Sequence, residues 1–269
     1  MVTRRAFVAL LGAGLAGCSS GPPASNDHST TAASRSPTTD AGLEPGESYT
    51  TDGGEVVVAD PAVRNSIVSR SVAGSSTHPD VGAHKGAQFL VVRLSGAPAE
   101  EFAVEADGQA IDGNRYEPIE PDAGLTAFQV TVIEADTAAV VWTGGDEPVR
   151  WELPDPVVDA IGKLPKFELR EFTMSDSVSP GEPIETTLTV ANVGERDGRF
   201  LAELGAVVMS DVGEVWFDVP QGETVTAEFS LTPSIYTPMD GSGDELTVVC
   251  DWGSDRAERT VKVVEETES

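Results

Sequence analysis

The residues of the C-terminal half alternate between apolar and polar side chains. Ile184, Leu188 and Val190 fall on one phase, with Glu185, Thr187 and Thr189 on the other. Val225, Ala227, Phe229 and Leu231 alternate with Thr226, Glu228 and Ser230. Leu246, Val248, Cys250 and Trp252 share a face against Thr247, Val249 and Asp251, and Val261 and Val263 close the set. Successive strand side chains point to opposite faces, so a period of two describes strands with one face on a core. The intervals fit a seven-strand sandwich. Ser179-Pro180-Gly181-Glu182 and Val219-Pro220-Gln221-Gly222-Glu223 read as turns feeding strands.

Residues 49–153 read as a second β-sandwich, with less regular patterning. Glu55-Val56-Val57-Val58-Ala59 is a first strand, which Asp60-Pro61 is expected to end. The run from Ala87 to Leu94 is nearly continuous in apolar residues, as in a central strand covered on both faces. Phe128, Val130 and Val132 share a face, and Val149, Trp151 and Leu153 alternate with Arg150 and Glu152. Asp107-Gly108 and Asp112-Gly113 mark turns. The connector, 154–165, is expected to hold one short helix, with Asp155 as its cap, Pro156 at its first position, and Val157, Val158 and Ile161 on its apolar face. The fold class expected is therefore all-β: two immunoglobulin-like sandwiches, at 49–153 and 166–265, with 266–269 as a tail.

The N-terminus carries an address. Thr3-Arg4-Arg5-Ala6-Phe7 precedes an apolar run, 8–17, of about ten residues, against roughly 20 for a membrane-crossing helix. Leu15-Ala16-Gly17-Cys18 closes it. The arrangement resembles a twin-arginine lipoprotein signal, with Val8 where that family often has Leu. The resemblance implies folded export directed by Arg4 and Arg5, cleavage after residue 17, and lipidation of Cys18. The partner it implies is the membrane, through the lipid on Cys18, with the protein on the extracellular face. Gly12-Ala13-Gly14-Leu15-Ala16-Gly17 fits G-x-G-x-x-G by letter, but it lacks the preceding strand and the acidic residue of a dinucleotide site. From 19 to 48 Leu43 is the one large aliphatic residue among Ser, Thr, Pro, Ala, Gly and Asp. Residues 18–48 are therefore expected to form a disordered tether. Thirty flexible residues span about 30 Å. Thr30, Thr31, Thr38 and Thr39 could carry O-linked sugar there, and no N-x-S/T sequon occurs.

The formal net charge is −28, with 45 acidic residues against 17 basic ones, of which only Lys85, Lys163, Lys166 and Lys262 are lysines. Such a surface repels itself in dilute buffer, and molar salt, with a Debye length of about 3 Å, screens that repulsion. Acid-rich, lysine-poor and carrying a twin-arginine signal, the chain resembles haloarchaeal surface proteins. The charge excludes a nucleic-acid partner, which needs a basic footprint. With Cys18 assigned to lipid, Cys250 is left alone, so no intramolecular disulfide and no cysteine zinc site are expected.

Two further resemblances concern the sandwiches. Gly86-Ala87-Gln88-Phe89-Leu90-Val91-Val92 resembles a strand of the immunoglobulin-like domains of unknown function that recur in prokaryotic surface lipoproteins. Val178-Ser179-Pro180-Gly181-Glu182, Thr187-Leu188-Thr189-Val190-Ala191-Asn192-Val193-Gly194 and Val219-Pro220-Gln221-Gly222-Glu223-Thr224 resemble the cell-adhesion-related domain of bacteria and archaea, CARDB. That resemblance spans most of 167–265 and implies a non-catalytic surface module.

Candidate chemistry is sparse. Cys250 reads as a small buried hydrophobe, its neighbours Asp251 and Asp255 having the wrong charge to activate a thiol. His28 falls in the tether; His78 and His84, with Asp80 between them, read as a solvated loop rather than a metal site. Calcium is the residual ligand to test, on Asp240-Gly241-Ser242-Gly243-Asp244-Glu245 and the turn between Asp107 and Asp112. Ser75, Ser76 and Ser242 fall in no G-x-S-x-G elbow, and no H-E-x-x-H, P-loop or EF-hand pattern occurs, so Ser-based hydrolysis is not expected. The expectation is a non-enzymatic, lipid-anchored surface protein with no cofactor. Its two sandwiches would meet an unidentified surface protein or glycan, in adhesion or an envelope role. An accessory lipoprotein that binds an ion or glycan is the alternative.

Overall fold

A computed structural model describes residues 42–73, 76–82, 87–206, 212–232 and 245–264. Arg4, Arg5, Cys18 and the tether through 41 lie outside the described residues. The chain is all-β, built as two sandwiches in series.

The first contains β1 (Ser48–Thr51), β2 (Gly54–Arg64), β3 (Ile67–Ala73), β4 (Ser76–Gly82), β5 (Ala87–Ser95), β6 (Phe102–Ala106), β7 (Gln109–Ala110), β8 (Arg115–Tyr116), β9 (Thr126–Thr131), β10 (Ala138–Trp142) and β11 (Val149–Glu152). One sheet has the order β1-β2-β5-β9-β8 and the other β11-β10-β6-β7. β5 is central, as its apolar run predicts, with β2 and β9 on its flanks. β3 and β4 form a separate two-stranded hairpin.

Helix α1 (Asp155–Ile161) follows, burying Val158 and Ile161 against the first core. The second sandwich comprises β12 (Phe167–Met174), β13 (Ser177–Val178), β14 (Ile184–Asn192), β15 (Gly198–Ala206), β16 (Val212–Val219), β17 (Thr224–Leu231), β18 (Glu245–Asp251) and β19 (Arg256–Val263). Its sheets run β12-β14-β17 and β13-β19-β18-β15-β16. The period-two residues Ile184, Leu188, Val190, Phe229, Leu231, Leu246, Val248, Cys250 and Val261 all enter one core around Phe200.

The structure corrects four expectations. Asp60-Pro61 does not end β2: the pairing with β5 slips between Ala59 and Ala62, and Asp60 takes a left-handed φ of 51°. The extra residues form a bulge, which accommodates a proline that cannot donate to the ladder. Leu43, placed in the tether, is buried and bridges Trp151. The Trp151 indole donates to the Glu47 carbonyl at 3.0 Å, so order begins before residue 48. The reason is Trp151, whose fully buried ring needs an apolar cover that Leu43 alone in that tract can supply. Pro154, not Asp155, occupies the cap position of α1, which has no side-chain cap. His78 lies in β4 opposite Ser71 rather than in a loop, because the hairpin extends through it.

Candidate functional site

The connector closes onto the loop between β14 and β15. Asn192 is 1% exposed and satisfies four backbone groups. Its Oδ1 accepts from the Lys166 amide at 3.2 Å and the Gly194 amide at 3.0 Å. Its Nδ2 donates to the Arg196 carbonyl at 2.8 Å and the Val219 carbonyl at 2.9 Å. The Val193 amide donates to the Lys166 carbonyl and the Glu195 amide to the Leu164 carbonyl, a short ladder from loop to connector. Gly194 is required by that approach: a Cβ there would collide with the backbone of Leu164, Pro165 and Lys166.

Arg196 then reaches across to the first sandwich. Its Nε donates to the Lys163 carbonyl at 2.9 Å and its Nη2 to Gln88 Oε1 at 2.9 Å. Gln88 sits fully buried in β5 and donates through Nε2 to the Ala160 and Ile161 carbonyls. The carbonyls at the end of α1 thus meet the Gln88 amide, and the Lys163 carbonyl just past it meets a cation, the groups that a helix C-terminus attracts.

A second bridge is ionic. Asp122, in the loop between β8 and β9, is 5% exposed. Its Oδ1 accepts from Arg64 Nε at 3.2 Å and from Arg199 Nη1 at 3.0 Å. Arg64 ends β2 in the first sandwich and Arg199 begins β15 in the second. Burying a carboxylate is costly without such partners. The third bridge is apolar: Val68, Val81 and Leu201 form a cluster with Ile119 and Trp216. On β15, Phe200, Ala202 and Leu204 enter the second core, while Leu201 faces the hairpin of the first sandwich. The Val81 amide donates to Glu203 Oε1 at 3.1 Å beside it.

Between these bridges lies a groove of about 280 Å³, lined by Val63, Arg64, the turn from Arg196 to Arg199, and Asp218 to Pro220. Three of the chain's few cations meet there. Burial, then the neighbouring Arg64 charge, lower the Arg196 guanidinium to about 10, Asp197 acting the other way; it remains cationic at neutral pH. A wider groove of about 450 Å³ runs between β12 and β19. Its arginines are already engaged: Arg170 with Glu168, Arg256 with Glu258, and Arg259 with the Phe172 carbonyl.

Among the described residues, those singled out by sequence do not converge. Cys250 is fully buried, and burial, with the Asp251 charge second, pushes its thiol up to about 12. Asp107 Oδ1 accepts from the Asp136 and Thr137 amides, both at 3.0 Å, which ties a turn and occupies the carboxylate. No group of three metal-binding side chains occurs among the described residues. His28, His84, Ser75, Ser242 and the stretch from Asp240 to Asp244 lie outside the described residues. Asn192, which the sequence places in the CARDB-like motif, bonds nearby backbone at Gly194 and Arg196 and also ties Lys166 and Val219. Arg64, Asp122, Arg196 and Arg199 had no sequence signal beyond the scarcity of basic residues.

No family model matches the chain, and no curated protein matches it in sequence. Among solved structures it is similar to a β-glucosidase from Listeria innocua in complex with isofagomine, at 19% identity and a TM-score of 0.30, over 37% of this chain and 16% of that one. It is also similar to a chimeric titin tandem carrying an exogenous fibronectin peptide, at 12% identity and a TM-score of 0.21, over 67% of this chain and 91% of that one. A tandem of titin immunoglobulin domains gives 9% identity and a TM-score of 0.20, over 67% and 88%. The chain thus spans about a sixth of the glucosidase and most of each titin pair. At these scores the likenesses carry no argument about activity.

Proposed function

We propose that this protein is a non-catalytic surface lipoprotein. Lipid on Cys18 holds it to the extracellular face of the membrane, and its two immunoglobulin-like sandwiches act as an adhesion or envelope interaction unit. One observation carries the reading: Leu15-Ala16-Gly17-Cys18 stands behind a short apolar run headed by Arg4-Arg5, ahead of an all-β chain. The second sandwich is assigned as a CARDB-like module. Its motif residues support this: Asn192 bonds to the Glu223 and Gly222 backbone of the hairpin, where Gly222 takes a φ of 75°. The unit meets a surface protein or glycan, in a halophilic setting.

Cys18→Ser tests the anchor. The variant is expected in the medium, or uncut at its N-terminus, and unchanged membrane retention overturns the reading. Salt tests the setting: near-UV circular dichroism of the chain should collapse on dialysis from molar potassium chloride into dilute buffer, as charge repulsion loses its screen. Equal stability in both excludes a halophilic protein. An accessory ligand-binding role is the second reading, and the guanidinium-lined groove between the sandwiches favours it.

A further inference from the structure

We propose that the groove framed by Arg64, Arg196 and Arg199 is a binding site for a small oxyanion, a carboxylate, sulfate or phosphate group that bridges the two sandwiches.

The donor inventory is the first argument. A guanidinium carries five N–H donors in a planar fork that matches two oxygens of an oxyanion. Arg64 uses only its Nε, on Asp122, and its two terminal nitrogens make no hydrogen bond among the described residues. Arg199 uses Nη1 on Asp122 and places Nε 3.5 Å from Asp218, and its Nη2 has no partner among the described residues. These side chains are 25% and 21% exposed, so the unused donors remain open to the groove, whereas Arg196 already donates from all three nitrogens and contributes charge. An oxyanion can accept from several such donors at once, in charge-assisted hydrogen bonds.

The charge pattern is the second argument. Arg64 and Arg196 lie close enough to repel, and that repulsion opposes the Arg196 charge after burial. One buried carboxylate, Asp122, serves both Arg64 and Arg199. Two further acids line the groove from its exposed side: Asp218 is 83% exposed, and Asp197 is exposed with Oδ1 accepting from the Gln221 amide. Solvent screens these exposed carboxylates more than it screens the half-buried cations. The groove thus gathers three arginines, two of them with unused donors, in a chain of net charge −28. Its size, about 280 Å³, admits one oxyanion or a single acidic sugar residue, and lies at the small end of ligand pockets.

The site does not depend on the lipid, so a failed binding experiment and a failed anchor are separate results. The test uses the full mature chain in potassium chloride at fixed ionic strength. Sulfate, phosphate, glucuronate and uncharged glucose are titrated in turn, with heat and thermal midpoint as readouts. One saturable site for at least one of the three anions, and none for glucose, is expected. A preference for glucuronate identifies an acidic sugar, and a preference for sulfate or phosphate an inorganic or ester oxyanion. Arg64→Gln should weaken binding about tenfold or more, equivalent to about 1.4 kcal/mol. Because Arg64 also holds Asp122, a second variant guards against misfolding. Asp218→Asn removes an exposed rim carboxylate and should tighten binding severalfold. Absence of saturable binding in both the native chain and Asp218→Asn overturns the proposal. So does equal binding of glucose, or undiminished affinity in a folded Arg64→Gln protein.

Discussion

The two sandwiches are built to different rules. The second encloses its own core: Phe200 packs on Phe167 edge to face at 5.6 Å, on Phe217 and on Trp252, and every partner belongs to the same sandwich. The first borrows. Its core is completed by Leu43 from the N-terminal tract and by Val158 and Ile161 from the connector helix, and its hairpin β3–β4 leaves to cover β15 of the second. A sandwich whose lid lies outside its own strands is the more dependent of the two. The joint therefore serves the first sandwich's stability as well as orientation.

Core truncations in each half give the largest contrast. Trp151→Ala and Phe200→Ala each remove a fully buried ring, at a cost of about 3–5 kcal/mol. The prediction concerns which signal moves. By calorimetry the native chain should unfold in one transition. Phe200→Ala should lower the whole transition, since β15 carries the contacts that the hairpin and Arg64 use. Trp151→Ala should split off an early phase that contains the first sandwich alone. Identical single transitions in both variants would show that the two halves are equal partners.

Asp122 comes next. Asp122→Ala strips the common acceptor from Arg64 and Arg199 and leaves two half-buried cations facing each other. Breaking a buried pair from one side costs about 3–5 kcal/mol, and the partial exposure of both arginines puts this case at about 3 kcal/mol. Arg93→Ala, which breaks an exposed pair with Asp60 wholly inside the first sandwich, should cost under about 1 kcal/mol. The two variants differ in kind as well: Asp122→Ala should separate one calorimetric peak into two and enlarge the radius of gyration, whereas Arg93→Ala should do neither. An unsplit peak in Asp122→Ala would reduce the ionic bridge to a surface contact.

The same contrast explains what could be read from sequence. Residues 184–190, 225–231 and 246–252 have one wet face and one dry face, so period two was visible and placed Cys250 and Trp252 correctly in the core. β15 has no wet face around Leu201, because another sandwich covers it, and so gives no alternation. β3 and β4 likewise pack on residues far along the chain, and local patterning cannot report a partner at that distance. The same holds for Asp122, whose burial follows from two arginines on either side of the joint. Gln88 is the clearest case. It stands in the middle of an apolar strand as an apparent interruption, and only the meeting of the α1 C-terminus and Arg196 accounts for it. Asn192 bonds to Gly194 and Arg196 close by in sequence, which local patterning can suggest, but its bonds to Lys166 and Val219 are long-range.

Cys250 provides the smallest effect and a local probe of the self-contained half. Its folded thiol is raised to about 12 from an ordinary 9.0, by burial first and the Asp251 charge second. The folded state therefore holds this proton more tightly than the unfolded state. The stability it contributes is complete below pH 9 and is lost as pH rises from there toward 12. Tyrosine and lysine titrate in the same window, so the measurement is a difference: denaturant midpoints of the native chain minus those of Cys250→Ala, across pH 8 to 11. The difference should be flat to about pH 9 and then turn against the native chain by up to about 1.4 kcal/mol per pH unit. Iodoacetamide should leave the native thiol unmodified at pH 8 until the second sandwich opens. In Trp151→Ala, heated through its early phase only, the thiol should still be protected. Labelling during that phase would mean that the second sandwich does not stand without the first.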